Sequence, residues 1–199
     1  MKEKFINSSL KSIKNKFPNY SNEKLEEIKY GLESLYLTFT KLIVLIILAL
    51  IFNIMKEFLL FLLLYNLVRL YGFGLHASKS YICLLSFIFM FIVIPILAKY
   101  FIISKYIVGI FGSLLLLNFY KYSPADTRKR PIVNPKIRFK YKFRSCLIVI
   151  IFLISAMFIS DYYIRNLLFL SVLVEGLLIN PYVYKMFGFT YDNYKNYRV

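Results

Sequence analysis

Histidine occurs once in these 199 residues and cysteine twice. That scarcity excludes a His-rich metal site and a disulfide framework. The two cysteines, Cys83 and Cys146, also lie at no spacing that a structural metal uses. Acidic residues are few: 10 Asp and Glu stand against 26 Lys and Arg, a formal net charge of +16. The first thirty residues, opening Met1-Lys2-Glu3-Lys4, contain no apolar stretch of the signal-peptide kind. Insertion into a membrane would therefore fall to the first long apolar segment. There is no internal repeat, so the inverted-repeat signature of many transporters is missing.

Apolar residues are in excess. The chain is 59% hydrophobic and 19% aromatic, with a mean hydropathy of +0.62, where soluble chains run at about 45–50% apolar. The excess is gathered into six runs, 42–55, 58–68, 81–98, 106–120, 146–160 and 167–179. Most are shorter than the roughly 20 residues that cross a bilayer, but flanking Lys snorkels and flanking Tyr sits in the interface. The run 58–68 is the weakest, being short and followed by Arg69; it either spans or re-enters. With the amino terminus inside and six alternating spans, 22 of the 26 cations fall on the inner side. This asymmetry supports both termini and residue 76 on the cytoplasmic face. The charge then suits an anionic inner leaflet, and no nucleic acid partner is expected.

These patterns predict an all-α, polytopic membrane helix bundle with about six apolar segments and an amino-terminal interfacial amphipathic helix. Leu10, Ile13 and Phe17 recur at helical spacing among lysines, and Pro18 ends that segment. Ser21 is an N-cap for a second helix that runs into the first apolar run. By polarity the chain divides into a cytoplasmic amphipathic region, 1–34, a transmembrane domain, 35–185, with a cytoplasmic basic loop, 121–144, and a cytoplasmic tail, 186–199.

Chemistry concentrates at His76 and Cys83. Seven residues apart on one helix, they would be separated by a rise of about 10.5 Å, too far for a hydrogen bond. A working pair therefore requires His76 to lie off the helix and fold back. Gly72 and Gly74 free the backbone for that turn, and Ser78 or Ser80 can cap a helix that begins just before Cys83. A thiolate in a first helical turn beside an imidazolium is stabilised by both. The bland alternatives are an inert apolar Cys and a solvated interfacial His. The residue pattern leaves both readings open. An orienting third group is not singled out: Asp126, Asn66, Asn118 and Ser86 all qualify by type. Cys146, beside Arg144, has no neighbouring base and suits palmitoylation equally well. Glu175 is the only carboxylate in a late apolar run; either it has a function or it pairs with a cation such as Arg69. Arg128, Lys129 and Arg130 suit a lipid-facing patch or an acidic peptide.

With His76-Ala77-Ser78-Lys79-Ser80-Tyr81-Ile82-Cys83, then Pro124-Ala125-Asp126-Thr127-Arg128-Lys129-Arg130-Pro131-Ile132, and with Ile28-Lys29-Tyr30-Gly31-Leu32-Glu33 before them, the chain resembles the accessory gene regulator B family. These are membrane endopeptidases that process quorum-sensing peptides in Gram-positive bacteria. The resemblance covers about residues 20–185. It implies a cysteine endopeptidase that cleaves a short precursor near its acidic carboxyl-terminal part through an acyl-enzyme thioester. An internal Cys or Ser of the precursor then closes a thiolactone or lactone. It further implies Cys83 as nucleophile, His76 as general base, a homodimer, and no cofactor or metal. Substrate contacts are expected at Arg128, Lys129, Arg130, Arg69, Asp126 and Glu175. The competing expectation is a non-enzymatic membrane transporter, with Arg69 and Glu175 lining its path, or a scaffold.

Overall fold

The computed structural model describes residues 2–75, 80–127 and 131–197. Its regular structure is helical, and among the described residues the only β feature is an isolated parallel bridge between Phe73 and Ala125. The chain falls into two compact units, Met1–Phe52 and Asn53–Val199. This division follows packing, whereas the sequence division at residue 34 follows polarity.

The first unit is a pair of helices, α1 (Lys2–Lys16) and α2 (Asn22–Ile51). α1 stops just short of Pro18, and Ser21 accepts the N–H of Lys24 at 3.2 Å to start α2. α2 is continuous for 30 residues, about 45 Å at helical rise. Only Leu45 and Ala49 of α2 are buried, while Phe39, Ile47 and Leu50 are exposed. Its carboxyl-terminal part, 42–51, is apolar on all sides and buries so little that lipid is its natural surroundings.

The second unit contains α3 (Met55–Gly72), α4 (Ser80–Ile88), α5 (Ile94–Leu97), α6 (Lys105–Tyr122), α7 (Pro135–Phe158), α8 (Tyr162–Leu178), α9 (Pro181–Met186) and a 3₁₀ turn, Asn193–Tyr197. α3 is continuous through the run 58–68. A π-helical turn, Phe89–Val93, joins α4 to α5. It directly precedes Pro95, whose missing N–H and bulky ring are incompatible with a regular α turn there. α8 is the centre: Leu167, Leu168, Phe169, Val172, Asn166 and Glu175 are all buried, packed among α3, α6 and α7.

Two expectations need correction. The apolar runs fall mainly on helix, with 42–55 crossing the break at residues 52–54 between α2 and α3, but among the described residues only Asn22–Ile51 and Pro135–Phe158 are long and apolar enough to cross a membrane. The others form helices of 17 or 18 residues, or, for 81–98, a helix interrupted by the π turn. Six spans are therefore not established. Second, 121–144 is not one loop. α6 runs to Tyr122, and Asn134 caps α7 by accepting the N–H groups of Lys136 and Ile137, with Pro135 at its first position. Five cations, Lys136 to Arg144, consequently lie on helix. Arg165, in the first turn of α8, is buried. Its guanidinium donates to the carbonyl of Ile159 at 2.8 Å.

Candidate active site

The site is built around the carboxyl end of α3. Arg69, on its last turn, donates from Nη1 to Glu175 Oε2 at 2.9 Å and to Tyr65 Oη at 2.9 Å, and from Nη2 to the carbonyl of Leu75 at 3.0 Å. Tyr65 donates to the same Glu175 oxygen at 3.0 Å. Glu175 has no exposed surface, so the pairing that the sequence left open is made with Arg69. A buried carboxylate needs such a cation, because desolvation is otherwise prohibitive.

Glycine allows this arrangement. A Cβ on Gly72 would stand 2.9 Å from Glu175 Oε1, so any side chain there would collide with the carboxylate. After Gly72 the chain turns sharply: Phe73 has φ 65° and Gly74 φ 90°, left-handed values that only glycine adopts cheaply. The turn is pinned by backbone bonds, Gly74 N–H to Ala125 O at 2.9 Å, Ala125 N–H to Gly72 O at 2.9 Å and Leu75 N–H to Leu178 O at 3.0 Å. Leu75, directly before His76 in sequence, is thus held through both its N–H and its carbonyl.

Beyond the turn, α4 begins at Ser80, placing Cys83 in its first turn. Cys83, Leu84, Phe87 and Ile88 are half-buried while Tyr81, Ile82, Leu85 and Ser86 are exposed, so the thiol lies on the inward stripe. Both cysteines are free thiols, and Cys146 is half-buried in α7. His76, Arg128, Lys129 and Arg130 lie outside the described residues.

A cleft of about 110 Å³ opens beside the turn, lined by Arg69, Phe73, Gly74, Ala125, Asp126 and Thr127. It brings together two of the expected substrate contacts, Arg69 and Asp126. Glu175 stands behind Arg69 and does not line the cleft. Asp126 is buried, and burial raises its carboxyl above the usual aspartate range, against the opposing pull of backbone N–H groups and Arg138. The other third-group candidates are engaged in helix contacts. Asn66 donates to Leu62 O and Ser86 to Ile82 O, while Asn118 donates to Gly176 O and accepts from Asn180. Sequence reasoning missed Tyr65, Arg138 and Tyr194. A tyrosine one helical turn before Arg69 was a usable signal; nothing marked Arg138 among nine neighbouring cations.

A profile described as accessory gene regulator B matches residues 6–179. The chain belongs to the accessory gene regulator B family. An AgrB-like protein of Clostridium acetobutylicum is 30% identical over 182 residues, covering 90% of this chain and 86% of the relative. One of Listeria innocua is 30% identical over 171 residues, covering 86% and 84%. A second AgrB-like protein, of Clostridium perfringens, is 34% identical over 156 residues, covering 73% and 72%. No solved structure matches the chain. Accessory gene regulator B membership supports a role in quorum-sensing peptide processing, and with the apolar helices it marks a membrane protein.

Proposed function

We propose that this accessory gene regulator B protein is a membrane cysteine endopeptidase, with Cys83 as nucleophile and His76 as general base. The observation that carries this reading is the half-buried free thiol of Cys83 in the first turn of α4, five residues after Ser78 and eight after the anchored Leu75. In the reaction, Cys83 Sγ gives its proton to the His76 imidazole and attacks a precursor carbonyl. The C–N bond breaks, the imidazolium protonates the leaving amine, and the acidic carboxyl-terminal fragment departs. The acyl group stays on Cys83 as a thioester. An internal Cys or Ser of the precursor then attacks this thioester, closing a thiolactone or lactone and returning the Cys83 thiol. Exchange of one thioester for another conserves acyl energy, so ring closure by an internal Cys needs no ATP provided that water is excluded.

The substrate reading rests on charge. Arg128, Lys129 and Arg130 attract the acidic part of the precursor, and Arg69 and Asp126 line the cleft from which the segment before His76 departs. An anionic inner leaflet holds the basic face, and an amphipathic precursor on the same bilayer gains effective concentration. The protein is expected to act as a homodimer with both termini cytoplasmic.

Co-expression with the precursor tests the assignment. Cys83→Ala and His76→Ala are each expected to abolish cleavage, and Cys146→Ala to leave it intact. If both site variants still cleave while Cys146→Ala does not, the assignment is wrong. A transporter would show the opposite pattern, losing flux rather than proteolysis on replacement of Glu175.

A further inference from the structure

The family match ends at residue 179, yet the chain beyond it returns to the candidate site. Two consecutive backbone N–H groups of this carboxy-terminal segment donate to Asp126, Asn193 to Oδ1 at 3.1 Å and Tyr194 to Oδ2 at 2.9 Å. From the other side, Ile132 N–H and Arg138 Nη1 each approach Oδ2 at 3.4 Å. The Arg138 guanidinium stacks 3.6 Å from the centre of the Tyr194 ring and donates to the carbonyl of Pro124 at 3.3 Å. Tyr191 donates to the carbonyl of Tyr122 at 2.7 Å, and Tyr184 to those of Ala125 and Asp126 at 3.4 and 3.3 Å. The cleft wall Ala125-Asp126-Thr127 therefore owes its position to residues near the end of the chain.

A carboxylate has about four acceptor sites, and four donors of the chain converge on this one. That inventory fits a carboxylate used to join two segments.

We propose that Asp126 is a positioning residue that clasps Tyr191–Tyr194 to the Pro124–Thr127 loop, holding the cleft wall where the acidic part of the precursor binds. This rests on the peptidase reading above, and its signature is in substrate binding rather than in the chemical step. Asp126 and Arg138 lie inside the matched family region, and the segment they hold lies beyond it.

Two measurements test the proposal. In membranes with the full-length protein, Asp126→Asn is expected to raise KM for the precursor about tenfold while kcat changes less than twofold. The preference for an acidic over a neutralised precursor tail is expected to shrink by a similar factor. A fall in kcat with KM unchanged would place Asp126 in the reaction and overturn the proposal, as would no change in either. The second measurement does not depend on peptidase activity. With Cys83 and Cys146 replaced by Ala, Asn193→Cys puts a reporter thiol at a position that is 1% exposed. Maleimide labelling is expected to be slow, and to quicken at least tenfold when Asp126→Ala is added. Rapid labelling without Asp126→Ala, or labelling insensitive to it, would overturn the clasp. If the clasp holds but Cys83→Ala still cleaves, the peptidase reading fails on its own.

Discussion

Asn166 and Glu175, near opposite ends of α8, are both fully buried, yet their polar atoms meet different kinds of partner. Nine residues apart, they project from opposite sides of the central helix. Asn166 donates to the carbonyls of Ala98 and Phe101 at 2.9 and 2.6 Å and accepts the N–H of Ile103 at 3.1 Å. A neutral amide thus stitches the α5–α6 connection to the core with no ionic partner. Glu175 takes two donors on Oε2, while its Oε1 packs against Gly72 and Gly74. A carboxylate there requires Arg69, and Arg69 in turn fixes Leu75. The amide end holds a connection in place; the charged end, through Arg69, holds the entry to the candidate active site.

The largest test of this contrast is Arg69→Ala, which leaves Glu175 buried without its cation and is expected to cost about 3–5 kcal/mol. Unfolding in mild detergent would measure it. Replacing both residues by Leu is expected to recover most of that loss, because the uncompensated charge is gone. If the single variant is no worse than Asn166→Ala, the distinction between the two ends fails. Asn166→Ala itself strands two carbonyls and an N–H, and a loss of about 2–3 kcal/mol is expected by the same assay.

Gly72→Ala comes next. Its Cβ would press on Glu175 Oε1, and overpacking of this kind costs about 1–3 kcal/mol. Gly31→Ala, in α2 with nothing within 4 Å, calibrates it: there the change is expected to stabilise by about 0.5–1 kcal/mol.

The smallest effect is that of pH on Asp126, which lies outside the spanning helices. Its folded value is raised by burial, so its contribution to stability is fully present below the ordinary aspartate value and lost as pH rises through the folded value. In acid titrations followed by labelling of Asn193→Cys, protection is expected to weaken slightly across that window. Asp126→Asn should flatten the profile. A wild-type profile that instead gains protection as pH rises would contradict the burial argument.

Much of this was legible in the residues. Ser21 starts α2 by the expected side-chain bond, and Pro18 separates α1 from it. The runs of Leu, Ile and Phe fall mainly on helix, and Gly72 and Gly74 flank the sharp turn that a folded-back His76 requires. The failures share a cause. Asn134-Pro135 and Asn180-Pro181 were local start signals outweighed by charge and hydropathy, so α7 was begun too late and the basic stretch read as loop.

The sequence by itself determined the class of molecule, its helical content and its basic character, and it supplied the short stretch on which the proposed chemistry rests. Local spacing and composition suffice for those, since each depends on residues within a few turns of one another. Only the tertiary structure decided that Glu175 meets Arg69 across 106 positions and that Asn193 and Tyr194 close on Asp126 across 67 and 68. Such partners are chosen by which helices pack together, and a buried charge takes whatever compensating group that packing brings within reach.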